Sequence, residues 1–206
     1  YGEKETTYLK SQDPILGQAI DEIGLIKREV IPDMFMALVK SIIGQQISTK
    51  AQITIRKRME EKFAPITPEN ISALSIEELQ TVGISTRKAS YIKEIADAVI
   101  NGNLNFSELE DMSDEEVCAY LTKIKGVGVW TAEMLMIFSM QRPDILSWGD
   151  LAIHRGLQML YGHKEITPEL FQKYKNTYSP YASVASLYLW KIAGGALPKL
   201  TDPGSK

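Results

Sequence analysis

The 206-residue chain has a single cysteine, Cys118, and only two histidines, His154 and His163. One cysteine excludes an internal disulfide framework and any four-cysteine zinc or iron–sulfur site, and it fits a cytosolic compartment. The two histidines lack partners at metal-ligand spacing, so they read as ordinary helix or loop residues. No apolar run approaches the roughly 18 residues that cross a bilayer, which argues against a membrane role. Excess positive charge is missing as well: the net charge is −3. That weakens the case for a nucleic-acid partner, because non-specific affinity comes mainly from Lys and Arg neutralising phosphates. It does not close the case, since backbone N–H groups alone can build a local phosphate site. Strand signals are also absent, as no stretch alternates apolar and polar residues for long.

What remains is an ordinary globular composition, 44% hydrophobic and 24% charged, with repeated helix-start signals. Thr67-Pro68-Glu69 and Thr167-Pro168-Glu169 each place a capping hydroxyl before a proline at the first helical position. Ser75 through Glu78 and Ser113 through Glu116 match the capping box. Apolar residues fall at helical spacing at Leu38, Ile42 and Ile43, at Ile92, Ile95, Ala96 and Val99, and at Leu135, Ile137 and Phe138. The reading is all-α, with roughly nine or ten helices joined by short loops. The acidic run from Glu108 to Glu116 reads as a solvated loop and helix cap. The run V-G-I-S-T-R-K-A (82–89) echoes G-V-G-V-W-T-A (126–132), with Ser85 where the second glycine would stand.

Three constellations carry chemistry. In the first, a helix opened by Ser113 is expected to run to about Lys123, and a second to begin near Val129, with Gly126-Val127-Gly128 between them. Two glycines permit positive φ and leave no side chain in front of the next helix, whose N–H groups lie at the positive end of its dipole. A Gly-x-Gly alone is more often a plain helix connection. The flanking pattern, Ile124 before it and Thr131-Ala132 after it, is what points to an anion site. In the second, Asp150 follows Gly149 at the head of an amphipathic helix, where capping alone would explain it. In the third, Gly44-Gln45-Gln46-Ile47-Ser48 follows an apolar helix, and the plain alternative is an exposed corner between two helices.

Taken together, I-K-G-V-G-V-W-T-A (124–132) and G-D-L-A-I-H-R-G (149–156) resemble the helix-hairpin-helix DNA glycosylases, and most nearly their alkylation-repair branch of 3-methyladenine glycosylase II type. Lys125 stands where many members have proline. The resemblance implies the compact form without an N-terminal α/β domain, two-lobed, with the active-site cleft between lobes. The hairpin lobe is expected at about 31–145 and the second lobe at about 1–30 plus 146–206. It further implies that Lys125, Gly126, Val127, Gly128 and Thr131 grip the DNA backbone. Carbonyls of Thr122, Ile124 and Gly126 would be able to hold a structural Na⁺ or K⁺; no cofactor is otherwise required. Gln46 and Ile47 are candidates for plug and wedge where the damaged nucleotide is flipped out, with Ser48 nearby.

Asp150 is the catalytic candidate, 24 residues after Gly126. A fixed carboxylate stabilises the positive charge that builds on the sugar as an N-glycosidic bond breaks. Bifunctional members place a Schiff-base lysine where this chain has Trp130, so base removal by water without strand cleavage is implied. Trp130, Trp190 and Trp148 are base-pocket candidates, since an aromatic face attracts a cationic alkylated purine. The expected partner is double-stranded DNA carrying damaged bases, the expected state a monomer, and the expected location the bacterial nucleoid in the cytoplasm or a nucleus. The alternatives are a helix-hairpin-helix DNA-binding protein without catalysis, or a glycosylase for other damaged bases.

Overall fold

Hydroxyl and carboxylate caps set where most of the described helices begin. The computed structural model describes residues 1–203. In chain order the α-helices are α1 (Glu3–Gln12), α2 (Pro14–Ile23), α3 (Met34–Gly44), α4 (Thr49–Phe63), α5 (Pro68–Ala73) and α6 (Ile76–Gln80). Then come α7 (Thr86–Ile100), a 3₁₀ turn (Phe106–Asp111), α8 (Asp114–Leu121), α9 (Val129–Phe138), α10 (Leu151–Tyr161), α11 (Pro168–Tyr178) and α12 (Ala182–Ala193). There is no strand among the described residues, and no helix there is long and apolar enough to cross a membrane.

The expected caps are in place. Thr67 accepts from the Asn70 N–H and Thr167 from the Leu170 N–H, each ahead of a proline. Ser75 and Ser113 close full capping boxes with Glu78 and Glu116. The helix count exceeds the expected nine or ten because closely spaced caps stop and restart the chain. Thr67, Ser75 and Ser85 in turn produce α5 and α6, of six and five residues, before α7 begins. Part of the acidic run read as solvated loop is the 3₁₀ turn, started by the Asn105 side chain accepting from the Ser107 N–H.

The described chain divides into two units: a continuous one, Val30–Met140, and a split one, Tyr1–Glu29 with the residues from Gln141 onward. In the continuous unit α3 packs against α4, α7 and α9, and α8 against α9. Leu38, Ile42, Ile43, Ile92, Ile95, Leu135 and Ile137 are all buried there, as the helical spacing predicts. Val99 and Phe138 are half-buried. The echo between residues 82–89 and 126–132 has a geometric counterpart. Gly83 (φ +102°) and Gly126 (φ +85°) each stand two residues before an N-cap, Ser85 or Gly128.

In the split unit the core gathers Leu9, Leu16, Ile20, Leu146, Ile153, Leu157 and the fully buried Tyr178 and Tyr188. Helices α10 and α12 lie against one another, and the approach is tight at Gly156. A Cβ there would sit 2.5 Å from the Leu189 carbonyl oxygen, so the residue must be glycine.

Candidate active site

The hairpin is built from local hydrogen bonds. Helix α8 stops at Leu121, two residues before the expected end, and the Thr122 hydroxyl donates back to the Cys118 carbonyl (2.8 Å). Ile124 N–H then reaches Leu121 O, and Val127 N–H reaches Ile124 O, at 3.0 Å each. Only one of the two glycines uses the left-handed region. Gly126 has φ +85°, and a Cβ on it would meet the Tyr91 ring at 2.5 Å. Gly128 has φ −90° and open space where a Cβ would go. Its contribution is the missing side chain, since as N-cap of α9 it supplies no acceptor to the helix's first N–H groups. A helix start without a side-chain cap, at the positive end of the helix dipole, suits an anion. Val127 and Thr131 are buried and anchor the turn rather than present themselves to a ligand.

Lys125 is exposed and its Nζ lies 3.0 Å from Glu94 Oε2. An exposed ion pair of this kind is weakly held, so the ammonium can exchange Glu94 for a phosphate. Of the three carbonyls considered for a cation, Ile124 O accepts from Val127 N–H, and Gly126 O accepts from Gln45 Nε2 at 2.7 Å. A carbonyl oxygen has two lone pairs, so both retain one, and an all-oxygen donor set of this kind fits Na⁺ or K⁺.

The Gly44–Ser48 loop lies in the same unit. Gln46 is exposed with φ +55°, a conformation that non-glycine residues rarely adopt. Ile47 is half-buried, and Ser48 is the exposed N-cap of α4, accepting from the Ala51 N–H. Two residues that fix this loop are not among the sequence candidates. Gln45 reaches the hairpin, as above, and Lys88 Nζ donates to Ile43 O (2.8 Å) and Gln45 O (2.7 Å). Burial, and after it the charge of Arg87, pull the Lys88 ammonium below the ordinary lysine value.

In the split unit, Asp150 is buried at the head of α10. Its Oδ1 accepts from the N–H groups of Ala152 (2.8 Å) and Ile153 (3.2 Å), so the cap exists. Its Oδ2 accepts from Trp190 Nε1 at 3.0 Å. Both oxygens are therefore held in place by hydrogen-bond donors. Trp190 is thus a direct partner of the carboxylate, a role that its sequence position as a pocket ring does not disclose. Helix α12 also holds the segment that leads to Asp150. Ser183 Oγ donates to Arg142 O and accepts from Ile145 N–H, while the Ser186 hydroxyl is shared between Ala182 O (2.9 Å) and Ile145 O (3.1 Å). Asp144 accepts from Ser179 Oγ and Ala182 N–H at the helix start. Ser183, Ser186 and Trp190 are spaced to share one helix face.

Trp148 is 47% exposed and packs edge-to-face on Phe171 and His154. The His154 Nε2 lies 2.8 Å from Trp148 O, and since a carbonyl only accepts, that nitrogen carries the proton. Leu151, next to Asp150, is 83% exposed although apolar. His163 bonds to the Tyr174 hydroxyl, away from these residues, and fits the ordinary role expected of it. The structure therefore joins Asp150, Trp190 and Trp148 in one unit. The hairpin, the Gln46 loop and the exposed Trp130 belong to the other.

Comparison with known proteins gives a consistent pattern. Residues 39–180 match the family model described as HhH-GPD superfamily base excision DNA repair protein. DNA-3-methyladenine glycosylase 1 of Schizosaccharomyces pombe is 35% identical over 163 residues, covering 76% of this chain and 71% of its own. Among solved structures, the DNA-3-methyladenine glycosidase of Bacillus halodurans superposes with a TM-score of 0.83 at 40% identity, covering 93% of this chain and 90% of that one. A 3-methyladenine DNA glycosylase of Schizosaccharomyces pombe in complex with abasic DNA gives a TM-score of 0.80 at 31% identity, covering 92% and 96%.

Proposed function

The chain belongs to the HhH-GPD superfamily of base excision DNA repair proteins, and from that premise we propose that it is a monofunctional DNA glycosylase for alkylated purines. The observation that carries the reading is the doubly oriented carboxylate of Asp150, downstream of a hairpin whose helix N-terminus is left without a side-chain cap. Relatives named 3-methyladenine glycosylases support the substrate class. The substrate is double-stranded DNA with a damaged base, met by a monomer where DNA is kept, in a nucleoid or nucleus.

The chemistry follows from charge. Alkylation at N3 or N7 leaves the purine cationic, so its departure needs little proton donation. As the C1′–N bond breaks, its electron pair stays on the base, which leaves neutral, and positive charge develops on the sugar. The Asp150 carboxylate, fixed before the reaction, stabilises that charge. Water adds to C1′ and gives its proton to the same carboxylate or to solvent. Trp190 holds Oδ2 in place, and the exposed ring of Trp148, in the same unit, offers a face to a cationic base, an attraction of about 0.5–2 kcal/mol. The α9 N-terminus and Lys125 take the phosphate. A Na⁺ or K⁺ ion on the hairpin carbonyls would add positive charge there.

Because Trp130 stands where a Schiff-base lysine would be, the strand is left uncut. Incubating the protein with methylated duplex DNA tests this. Free 3-methyladenine or 7-methylguanine should appear, with strand breaks only after alkali. Breaks without alkali, or no released base, would count against it.

A further inference from the structure

Helix α7 presents one face to both elements assigned to DNA. Lys88, Tyr91 and Glu94 are spaced by three residues and so line up along it. Lys88 Nζ binds the carbonyls of Ile43 and Gln45, groups that the last turn of α3 leaves without helical partners. The Tyr91 ring fills the space where a Cβ of Gly126 would be, and Glu94 holds Lys125. Gln45, fixed by Lys88 through its carbonyl, donates its side-chain amide to Gly126 O at 2.7 Å. The residue after it is the exposed, left-handed Gln46.

We propose that Lys88 and Gln45 are positioning residues that register the Gln46–Ile47 tip against the phosphate-gripping turn at Gly126–Gly128. The role rests on the glycosylase reading given above. A loop whose tip is strained and solvent-exposed does not hold one conformation by itself. Two donors from Lys88 and one from Gln45 restrain it, so the element entering the helix and the element gripping the backbone meet DNA at a fixed offset. Errors of about 1 Å in such a constellation cost about a hundredfold in rate.

The test uses the whole protein and a duplex holding an abasic analogue with 2-aminopurine beside it. Binding is read by anisotropy, stack disruption by 2-aminopurine fluorescence, and chemistry by single-turnover release from methylated DNA. Lys88→Met and Gln45→Met should each bind the duplex nearly as wild type does, lose most of the fluorescence change, and release base about tenfold or more slowly. Because the two act in one chain of contacts, the double variant should be no worse than the poorer single variant. Gln45→Met alters only a half-buried turn side chain, so it carries the test if Lys88→Met does not fold. Wild-type fluorescence and release in the folded single variants, or losses that multiply in the double variant, would overturn the relay. Wild-type protein that neither binds nor releases base would overturn the glycosylase reading, and the relay with it.

Discussion

At Asp150, the catalytic role proposed above would use the same side chain that caps α10. The side chain gives Oδ1 to two backbone N–H groups and Oδ2 to the Trp190 indole, which leaves it little freedom to rotate. A carboxylate restrained in this way meets developing positive charge without first having to reorganise. Trp190→Phe keeps a ring in the half-buried site but removes the indole donor. It should lower stability on the order of 1–3 kcal/mol and slow base release, while leaving affinity for abasic duplex close to that of wild type. Thermal melts and single-turnover assays on the same preparation check both halves. An unchanged rate would reduce Trp190 to packing.

The elements that matter most are two struts, α7 and α12, each using polar residues at helical spacing to hold a loop. Helix α12 fixes the approach to Asp150 through Ser183, Ser186 and Trp190, and α7 fixes the Gln46 loop and the hairpin. Within the hairpin the two glycines are expected to behave differently. Gly126→Ala must place a Cβ against Tyr91 at φ +85°, so it should cost on the order of 1–3 kcal/mol and disturb the turn. Gly128→Ala has room and an ordinary φ, so its melting temperature should stay near wild type. Its methyl group would nevertheless stand before the helix start, which has no side-chain cap, and should weaken DNA binding. Melts and gel shifts of both variants decide the matter: equal stability losses would contradict the assignment of distinct roles.

Over the whole molecule, features encoded within a few residues were legible in the sequence, and features joining distant segments were not. The all-helical class, the capping boxes at Ser75 and Ser113, the hairpin and the Asp150 cap all rest on contacts within about one helical turn. The Trp190–Asp150 bond spans 40 residues and the Gln45–Gly126 bond 81, and no local pattern announces either. The count expected from the sequence falls short because five- and six-residue helices bury too few residues to show a period. Stability in the split unit draws on another distant contact, Asp13 with the stacked tyrosines Tyr161, Tyr174 and Tyr178. Burial first, and the charge of Asp13 second, push the Tyr174 phenol up to about 12, while unfolded tyrosine ionises near 10. Between those values the unfolded chain has lost a proton that the folded chain keeps, so stability should fall as pH rises through that window. Urea unfolding from pH 9 to 12 should follow this fall, and Tyr174→Phe should make it shallower. The catalytic claim meets its most direct test in base release from methylated duplex DNA by wild type and Asp150→Asn, with binding to abasic duplex measured alongside. Wild type should release 3-methyladenine or 7-methylguanine, and Asp150→Asn should bind DNA yet release base about a hundredfold more slowly or worse. Equal release by the two proteins would contradict a catalytic role for Asp150.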